Sequence, residues 1–354
     1  MTDALKTIRA RIDALDDSIV DLLGERAALA QAIGHAKSGA KYRPEREAQV
    51  LRRVTVRNKG PLPAPALARL FTEIMSACRA LEDGISVAFL GPQGTFSEEA
   101  AIRHFGGQAR LQPCVSIDDV FRQVEVGAVL YGVVPIENST EGSISRTHDL
   151  LLASPLRICG EVLLPVHQCL MSKSGKGAGE KKILSHSQSL AQCHEWINQN
   201  YPKARRIPVV SNAEAARLVA KDAAAAAIAS KTAAAVYGLK IIVGNIEDEP
   251  QNTTRFVVIA AHDAGPSGKD KTSLVMSTRN VPGAIHALLS PLAAHGVSMS
   301  RLESRPARTG RWEYLFYVDI EGHQQDDNVA QALRELGEKS AFLKNLGSYP
   351  AGMI

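Results

Sequence analysis

The sequence predicts three consecutive domains: an all-helical N-terminal domain, a central α/β domain and a C-terminal α+β domain with a ferredoxin-like order of elements. Residues 1–83 carry a helical repeat of apolar residues. Residues 85–262 alternate apolar strands with amphipathic helices, which favours a mostly parallel sheet, and residues 272–354 read β-α-β-β-α-β. A polar linker rich in Gly and Pro, 262–271, separates the last two domains.

Composition and charge narrow the class of protein. Hydrophobic residues make up 45% and charged residues 22% of the chain, as in ordinary globular proteins. We expect a cytoplasmic protein, because no apolar run approaches the roughly 20 residues that span a bilayer. The five scattered cysteines predict reduced thiols, and no metal site is expected. The mild net charge of +4 does not predict a surface for nucleic acid.

The first helix of the N-terminal domain carries a cation on its apolar stripe. Apolar residues recur with alternating spacings of three and four from Leu5 to Ile33, and Arg26 takes one position of that series. Lys37 lies about 20° from Arg26 around the helix, so the two cations share a face. The alternative interpretation is an internal salt bridge without a functional role.

The length of this helix predicts a homodimer. A helix over residues 4–37 would be roughly 50 Å long. The two following helices, predicted over 44–57 and 66–82, are too short to cover it, so we expect an intertwined dimer. Arg9 lies about 100° from Arg26 around the axis and would point into the partner's site.

The three helices together predict a pocket rich in cations. Its expected lining residues are Arg9, Arg26, Lys37, Arg46, Glu47, Cys78 and Glu82. The pocket has no pair of nucleophile and base. It suits a dianionic substrate and a reaction that needs only conformational restriction and electrostatic stabilisation.

These residues resemble the all-helical chorismate mutase family. The resemblance implies that the partner's Arg9, with Arg26, Lys37 and Arg46, grips the two carboxylates of chorismate, and that Glu47 holds its hydroxyl. Lys37 and Glu82 would flank the ether oxygen, which gains negative charge during the rearrangement. Since only a protonated carboxyl can donate a hydrogen bond to that oxygen, we predict that Glu82 acts in its protonated form.

Four polar segments of the central domain lie at the ends of predicted strands. GPQGTFS (91–97), ENSTEGS (137–143) and SHSQSLAQC (185–193) each follow a strand, and NTTRF (252–256) leads into one. Ligands of open α/β sheets bind at the carboxyl ends of strands, which favours a binding cleft here. Any one of these segments alone is better explained as a helix cap than as a catalytic loop, whereas four together favour a functional site.

Taken together, the four segments resemble prephenate dehydratase. The family implies a two-lobed domain of the periplasmic-binding type, crossing between lobes near 163–170 and 241–255, with prephenate in the cleft and no cofactor. Thr254 would be the key catalytic hydroxyl, and Glu137 and His186 are candidate proton donors. The other residues implied to bind substrate are Thr95, Phe96, Ser97, Asn138, Ser139, Ser185, Gln192 and Arg255.

Two segments of the C-terminal domain, PGAIHALL and ESRP, resemble the ACT domain of this enzyme family. The resemblance implies feedback inhibition by phenylalanine, bound between paired domains. The implied site residues are Gly283, Ala284, Ile285, Glu303, Ser304 and Arg305.

Two other functions fit the same domain order. A ligand-sensing transcription regulator would need an exposed recognition helix, whereas the first helix is too long and places its cations on the core stripe. A dehydratase fused to an inactive mutase domain is the second alternative. The presence of Arg9, Arg26, Lys37 and Arg46 argues against it.

Overall fold

A computed structural model of the chain describes residues 3–36, 42–82, 84–175, 181–279, 281–306 and 314–352. The predicted multidomain class is confirmed: a helical unit precedes two α/β sheets and a four-stranded antiparallel sheet with two helices. None of the helices in the described ranges combines the length and apolar character needed to cross a bilayer.

The N-terminal unit consists of α1 (Asp3–Ala36), α2 (Pro44–Arg57) and α3 (Ala64–Ala80). α1 has 34 residues, which corresponds to about 51 Å at 1.5 Å per residue. α3 ends two residues earlier than the predicted boundary, and Glu82 lies in the turn that follows it. The prediction that Glu82 belongs to the helix is therefore wrong by half a turn.

The apolar stripe of α1 remains uncovered along most of its length. Its leucines Leu15, Leu22 and Leu29 are 63%, 64% and 60% exposed. Because an exposed apolar stripe of this length is unfavourable in water, it marks a surface that a further helix would cover.

The described residues of the central domain form two sheets and seven helices. Its strands are β1 (Ser86–Leu90), β2 (Arg110–Cys114), β3 (Tyr131–Asn138), β4 (Gly142–Ser143), β5 (Arg157–Pro165), β6 (Cys169–Ser172), β7 (Lys182–His186), β8 (Arg205–Val209), β9 (Ala225–Ala229), β10 (Lys240–Gly244) and β11 (Thr253–Ala260). Its helices are α4 (Phe96–Phe105), α5 (Ile117–Glu125), α6 (Ser145–Ala153), α7 (Ser187–Gln192), α8 (His194–Asn200), α9 (Asn212–Val219) and α10 (Lys231–Tyr237).

Each lobe of the central domain is built on one of these sheets. The first has the order β2-β1-β3-β11-β5, with β4 paired to β3, and the second has the order β10-β6-β9-β7-β8. The chain leaves the first lobe through residues 166–168 and returns through residues 245–252. The run 225–229 is a fully buried strand whose small side chains let α9 and α10 pack closely.

Most long strands of each lobe run in one direction, as predicted, but one long strand of each sheet is reversed. β1 pairs with β2 and β3 in parallel, but β11 is antiparallel to both β3 and β5. In the second lobe β6 is antiparallel to β9 and β10. The reversed strands are β6 and β11, each of which directly follows a crossing between the lobes, and the alternation of strands and helices did not reveal this reversal.

The C-terminal domain has the elements β12 (Asp270–Ser277), α11 (Ala284–Ala294), β13 (Met299–Pro306), β14 (Tyr314–Glu321), α12 (Asp327–Lys339) and β15 (Phe342–Pro350). Its antiparallel sheet has the order β13-β14-β12-β15, which is ferredoxin-like as predicted. β15 packs on β5 of the central domain. At Gly347 a side chain would overlap the backbone of Ile158, so glycine permits this close approach.

Candidate active sites

The helical unit brings three of the predicted pocket residues together. Arg26 Nη1 donates a hydrogen bond to Cys78 Sγ at 2.9 Å. Glu47 forms an ion pair with Arg79 and lies within the electrostatic reach of Arg26. Burial raises the pKa of Glu47 above its usual value, although the charges of Arg79 and Arg26 act in the opposite direction. The pocket therefore contains a carboxylate that is costly to ionise and held by cations.

Arg79 is a pocket residue that the sequence analysis missed. Besides its ion pair with Glu47, its Nη2 donates to the carbonyl of Phe105 at 2.5 Å, and its guanidinium lies 5.3 Å from the centre of the Tyr42 ring. These contacts join the helical unit to α4 of the central domain. A basic residue in the last turn of a helix is usually explained by the helix dipole, so its position alone gave no indication of this role.

The remaining predicted residues of this pocket are less closely connected. Arg9 and Arg46 lie on exposed faces of α1 and α2. The Glu82 carboxyl packs directly against Gly34 of α1, where any side chain would overlap it. Lys37 lies outside the described residues.

A cleft of about 850 Å³ separates the two lobes of the central domain. The predicted residues that line it are Thr95, Phe96, Ser97, Asn138, His186, Gln192 and Thr254. They come from the three segments that follow β1, β3 and β7 and from the start of β11, so the structure brings together the four polar segments. Asn138 is the last residue of β3 and not part of the turn, because the strand extends beyond its predicted end.

Asn138 holds Thr254 at the centre of the first lobe's wall. Asn138 Oδ1 accepts from the backbone N–H groups of Thr140 and Glu141, both at 3.1 Å. The amide Nδ2 must therefore be the atom that donates to Thr254 Oγ1 and to Asn252 Oδ1, each at 2.8 Å. Because Thr254 accepts from Asn138, its own hydroxyl hydrogen is available to a substrate.

The opposite wall carries its own amide network. Asn212 Oδ1 accepts from the backbone N–H of His186 at 3.1 Å, and Asn212 Nδ2 donates to Ser189 Oγ at 2.9 Å. Gln192 Nε2 reaches across to Thr140 Oγ1 of the first lobe at 3.4 Å. Of the network residues, only Gln192 was predicted as a substrate-binding residue.

The structure does not bring Ser185 to the cleft. Its side chain is fully buried, with Oγ 2.6 Å from the carbonyl of Ile228 and 2.9 Å from Asn212 Oδ1. The expectation that Ser185 contacts the substrate directly is therefore wrong. Ser185 instead contacts Asn212 on the side away from the cleft. Ser139 likewise accepts from the backbone N–H of Thr253 at 2.9 Å and is not among the residues that line the cleft.

Arg255 also lies away from the cleft, contrary to the expectation that it binds substrate. Its Nε is 2.9 Å from Glu161 Oε2, its Nη1 is 2.5 Å from Asp319 Oδ2, and its Nη2 donates to Tyr349 Oη at 2.8 Å. Adjacent residues of a strand point to opposite faces, so Thr254 faces the cleft and Arg255 faces the C-terminal domain. Glu137 shares that side, 2.9 Å from Arg301 Nε.

Without Arg255, no Lys or Arg is found among the described residues that line the cleft. α4 begins there with Phe96 and Ser97, and its N-cap Thr95 accepts from the backbone N–H of Glu98 at 3.4 Å. Unpaired N–H groups at a helix N-terminus attract anions. The cleft therefore offers helix dipoles and neutral donors to an anionic ligand.

The residues expected to bind phenylalanine fall into two groups in the structure. Gly283, with φ of 75°, caps α11, which begins with Ala284 and Ile285. Glu303, Ser304 and Arg305 belong to β13.

Glu303 and Arg305 have partners in the central domain. Glu303 contacts Ser143, and Arg305 Nη1 donates to the carbonyl of Ser145 at 2.9 Å while Nη2 lies 3.2 Å from Asp149 Oδ1. Ser304 is exposed on the other face of the strand. The segment that begins at Asn138 in the cleft is thus held at its far end by the C-terminal domain.

Comparison with known proteins identifies the three domains. Family profiles match at residues 8–83 (chorismate mutase type II), 87–264 (prephenate dehydratase) and 272–338 (ACT domain). The solved structure of a prephenate dehydratase from Arthrobacter aurescens in complex with L-Phe is 35% identical, with a TM-score of 0.70, and the match covers 75% of this chain and 90% of that chain.

Relatives match along almost the whole length of the chain. A bifunctional chorismate mutase/prephenate dehydratase from Neisseria gonorrhoeae is 53% identical over 350 residues, covering 98% of this chain and 97% of the relative. One from Pseudomonas aeruginosa is 45% identical, covering 99% of each chain. The chain therefore belongs to the bifunctional chorismate mutase/prephenate dehydratase family.

Proposed function

We propose that this chain is a bifunctional cytoplasmic enzyme that rearranges chorismate to prephenate and then converts prephenate to phenylpyruvate. The observation that carries the proposal is the presence of two separate sites in one chain. A pocket of cations lies in the helical unit, and a cleft with the Asn138–Thr254 pair lies between the lobes.

The mutase reaction needs no nucleophile and no general base from the protein. Arg26, Arg46 and Lys37, with the partner's Arg9, bind the two carboxylates of chorismate and hold it in the reactive conformation. The Glu47 carboxylate accepts a hydrogen bond from the substrate hydroxyl, and the ion pair with Arg79 holds this carboxylate in place. Lys37 and protonated Glu82 stabilise the charge that develops on the ether oxygen.

The dehydratase reaction breaks two bonds and makes the ring aromatic. The bond between the ring and its carboxylate breaks, and its electron pair enters the ring as CO2 leaves. The bond between the ring and the hydroxyl breaks at the same time, and the departing hydroxide takes one proton and leaves as water. Thr254 donates a hydrogen bond to the departing oxygen, and His186, which lines the cleft, is the candidate proton donor.

The uncovered stripe of α1 supports a homodimer in which two such helices pack against each other. Each mutase pocket is then completed by the partner's Arg9. Light scattering of the full chain tests this assembly. A monomer with full mutase activity at nanomolar concentration would contradict it.

Phenylalanine is the proposed feedback inhibitor, bound between paired C-terminal domains at Gly283, Ala284, Ile285, Glu303, Ser304 and Arg305. Glu303 and Arg305 contact the segment 143–149, which continues from Asn138 in the cleft. Inhibition requires that phenylalanine bind one conformation of this linked unit more tightly than another.

The mutase activity has a predicted dependence on pH. Burial raises the pKa of Glu47, so its carboxylate should gain a proton at a higher pH than an ordinary glutamate and cease to accept a hydrogen bond from the substrate hydroxyl. The mutase rate should therefore fall on the acid side. Glu82→Gln should show the same fall and should remain active, since its amide donates a hydrogen bond at every pH. Rate profiles of both proteins test this, and a flat wild-type profile would contradict it.

The proposed function is tested by a time course with chorismate. Prephenate should appear first and phenylpyruvate should follow, and added phenylalanine should suppress the second step. Accumulation of prephenate without phenylpyruvate would contradict the assignment of the cleft. Turnover of supplied prephenate but not of chorismate would contradict the assignment of the helical pocket.

A further inference from the structure

Two buried polar atoms of the cleft have no hydrogen-bond partner within the described part of the chain: Gln168 Oε1 and Asn252 Nδ2. Both residues line the cleft, and they are only 1% and 2% exposed. Buried polar groups in native proteins are nearly always paired. One of these unpaired atoms is an acceptor and the other is a donor. Their presence in one cleft indicates that a bound ligand donates a hydrogen bond to the first and accepts one from the second.

The chemical identity of the unpaired atom of Asn252 follows from its neighbours. Backbone N–H groups can only donate, so the Asn138 atom that faces those of Thr140 and Glu141 must be the acceptor Oδ1. Asn138 Nδ2 then donates to Asn252 Oδ1 at 2.8 Å, which leaves Asn252 Nδ2 as the free donor. The same Asn138 Nδ2 donates to Thr254, so the two cleft donors Asn252 Nδ2 and Thr254 Oγ1 lie side by side.

The orientation of the Asn138 amide also determines the orientation of the Gln168 amide. Thr140 Oγ1 must donate to Asn138 Oδ1, at 2.6 Å, and so accepts from Gln192 Nε2 at 3.4 Å. Gln192 Oε1 therefore faces Gln168 and accepts from Gln168 Nε2 at 3.5 Å. Gln168 Nε2 is also 3.0 Å from Ser189 Oγ. The atom that remains unpaired is the oxygen of Gln168, an acceptor.

The proposed substrate has only one group that can satisfy this acceptor. The dianion of prephenate carries two carboxylates, a ketone and one ring hydroxyl, and this hydroxyl is its only hydrogen-bond donor. We propose that Gln168 is a specificity-determining residue of the dehydratase site, whose Oε1 accepts the hydrogen of the ring hydroxyl. Asn252 Nδ2 and Thr254 Oγ1 donate to the oxygen of that hydroxyl.

This arrangement makes the cleft distinguish substrate from product. One proton is consumed as prephenate becomes phenylpyruvate, CO2 and water, and the hydroxyl leaves with the water. Phenylpyruvate has no hydroxyl, so Gln168 Oε1 loses its partner in the product complex. A site whose buried polar group is left unpaired binds the ligand that lacks the matching group more weakly. The inference rests on the proposed dehydratase function.

The test compares the full-length protein with Gln168→Met, which keeps the volume of the side chain and removes the acceptor. The value of kcat/KM for prephenate, followed by release of CO2, should fall roughly 10- to 100-fold. The inhibition constant of added phenylpyruvate should change by less than about twofold, because the product makes no use of the acceptor. Gln123→Met is the matched control, since Gln123 pairs with Gln112 on the surface of the first lobe.

Three results would overturn the inference. One is an unchanged kcat/KM in Gln168→Met, and another is an equal weakening of prephenate turnover and phenylpyruvate inhibition, which would indicate a structural role. Should Gln168→Met not fold, Gln168→Asn withdraws the acceptor by one methylene, and full activity of that variant would also contradict the inference. A wild-type chain that does not turn over prephenate would overturn the proposed function itself.

Discussion

Thr254→Val is expected to lower dehydratase kcat by about 10²- to 10³-fold while the mutase rate stays at the wild-type value. The substitution removes the hydroxyl that Asn138 orients towards the cleft and keeps the branched shape of the side chain. Loss of one donor aimed at a developing negative charge has this order of effect in other enzymes. Both rates are measured on the same preparation, with prephenate for the dehydratase and chorismate for the mutase.

The neighbouring threonine provides the control for this variant. Thr253 is the preceding residue of β11, does not line the cleft, and its hydroxyl donates to the carbonyl of Gln251 at 3.4 Å. Thr253→Val should therefore keep dehydratase kcat within about twofold of the wild type, since no substrate contact is removed. Equal losses in both variants would show that the hydroxyl of Thr254 has no special role.

Arg255→Met is expected to destabilise the junction between the central and C-terminal domains by about 3–5 kcal/mol. The guanidinium is buried between Glu161, Asp319 and Tyr349. Its removal takes away the ion pair of buried Asp319 and leaves buried Glu161 with Lys271. Urea unfolding of the full chain, followed by fluorescence, measures the change. Arg217→Met is the control, because its exposed pair with Glu214 contributes little.

The effect of Arg255→Met should depend on pH. Burial alone would raise the pKa of Asp319, but the charge of Arg255 and the hydrogen bond from Ser273 outweigh burial and hold the pKa below its usual value. The stability from this ionised group is therefore present above the unfolded pKa and is lost as the pH falls through the folded one. The difference in the free energy of unfolding between Arg255→Met and the wild type should become smaller below about pH 4. A constant difference would contradict this explanation.

Much of the architecture was predictable from local patterns. The heptad spacing of α1 extends over most of its observed length, and Pro44 at the first position of α2 and Pro63 before α3 mark helix starts in the sequence itself. The direction of β11 was not predictable, because antiparallel pairing of Thr254 with Asn138 depends on a partner more than 100 residues away. Local sequence carries no information about such a return.

Some residues of the candidate sites were predicted from the sequence and others were not. Asn138, Gln192 and Thr254 belong to recognisable segments and do line the cleft. Arg255 was expected beside them because the family resemblance implied that it binds substrate, but strand alternation turns it to the other face. Gln168 was missed because it lies in the crossing between lobes, where only the folded chain places it against Gln192.

We expect the two sites of one chain to act independently, and a pair of single-site variants tests this claim. Arg26→Met should lose turnover of chorismate but convert supplied prephenate at the wild-type rate. Thr254→Val should convert chorismate to prephenate and stop there. An equal mixture of the two variants should again form phenylpyruvate from chorismate. Phenylpyruvate formed from chorismate at the wild-type rate by either variant alone would contradict the claim.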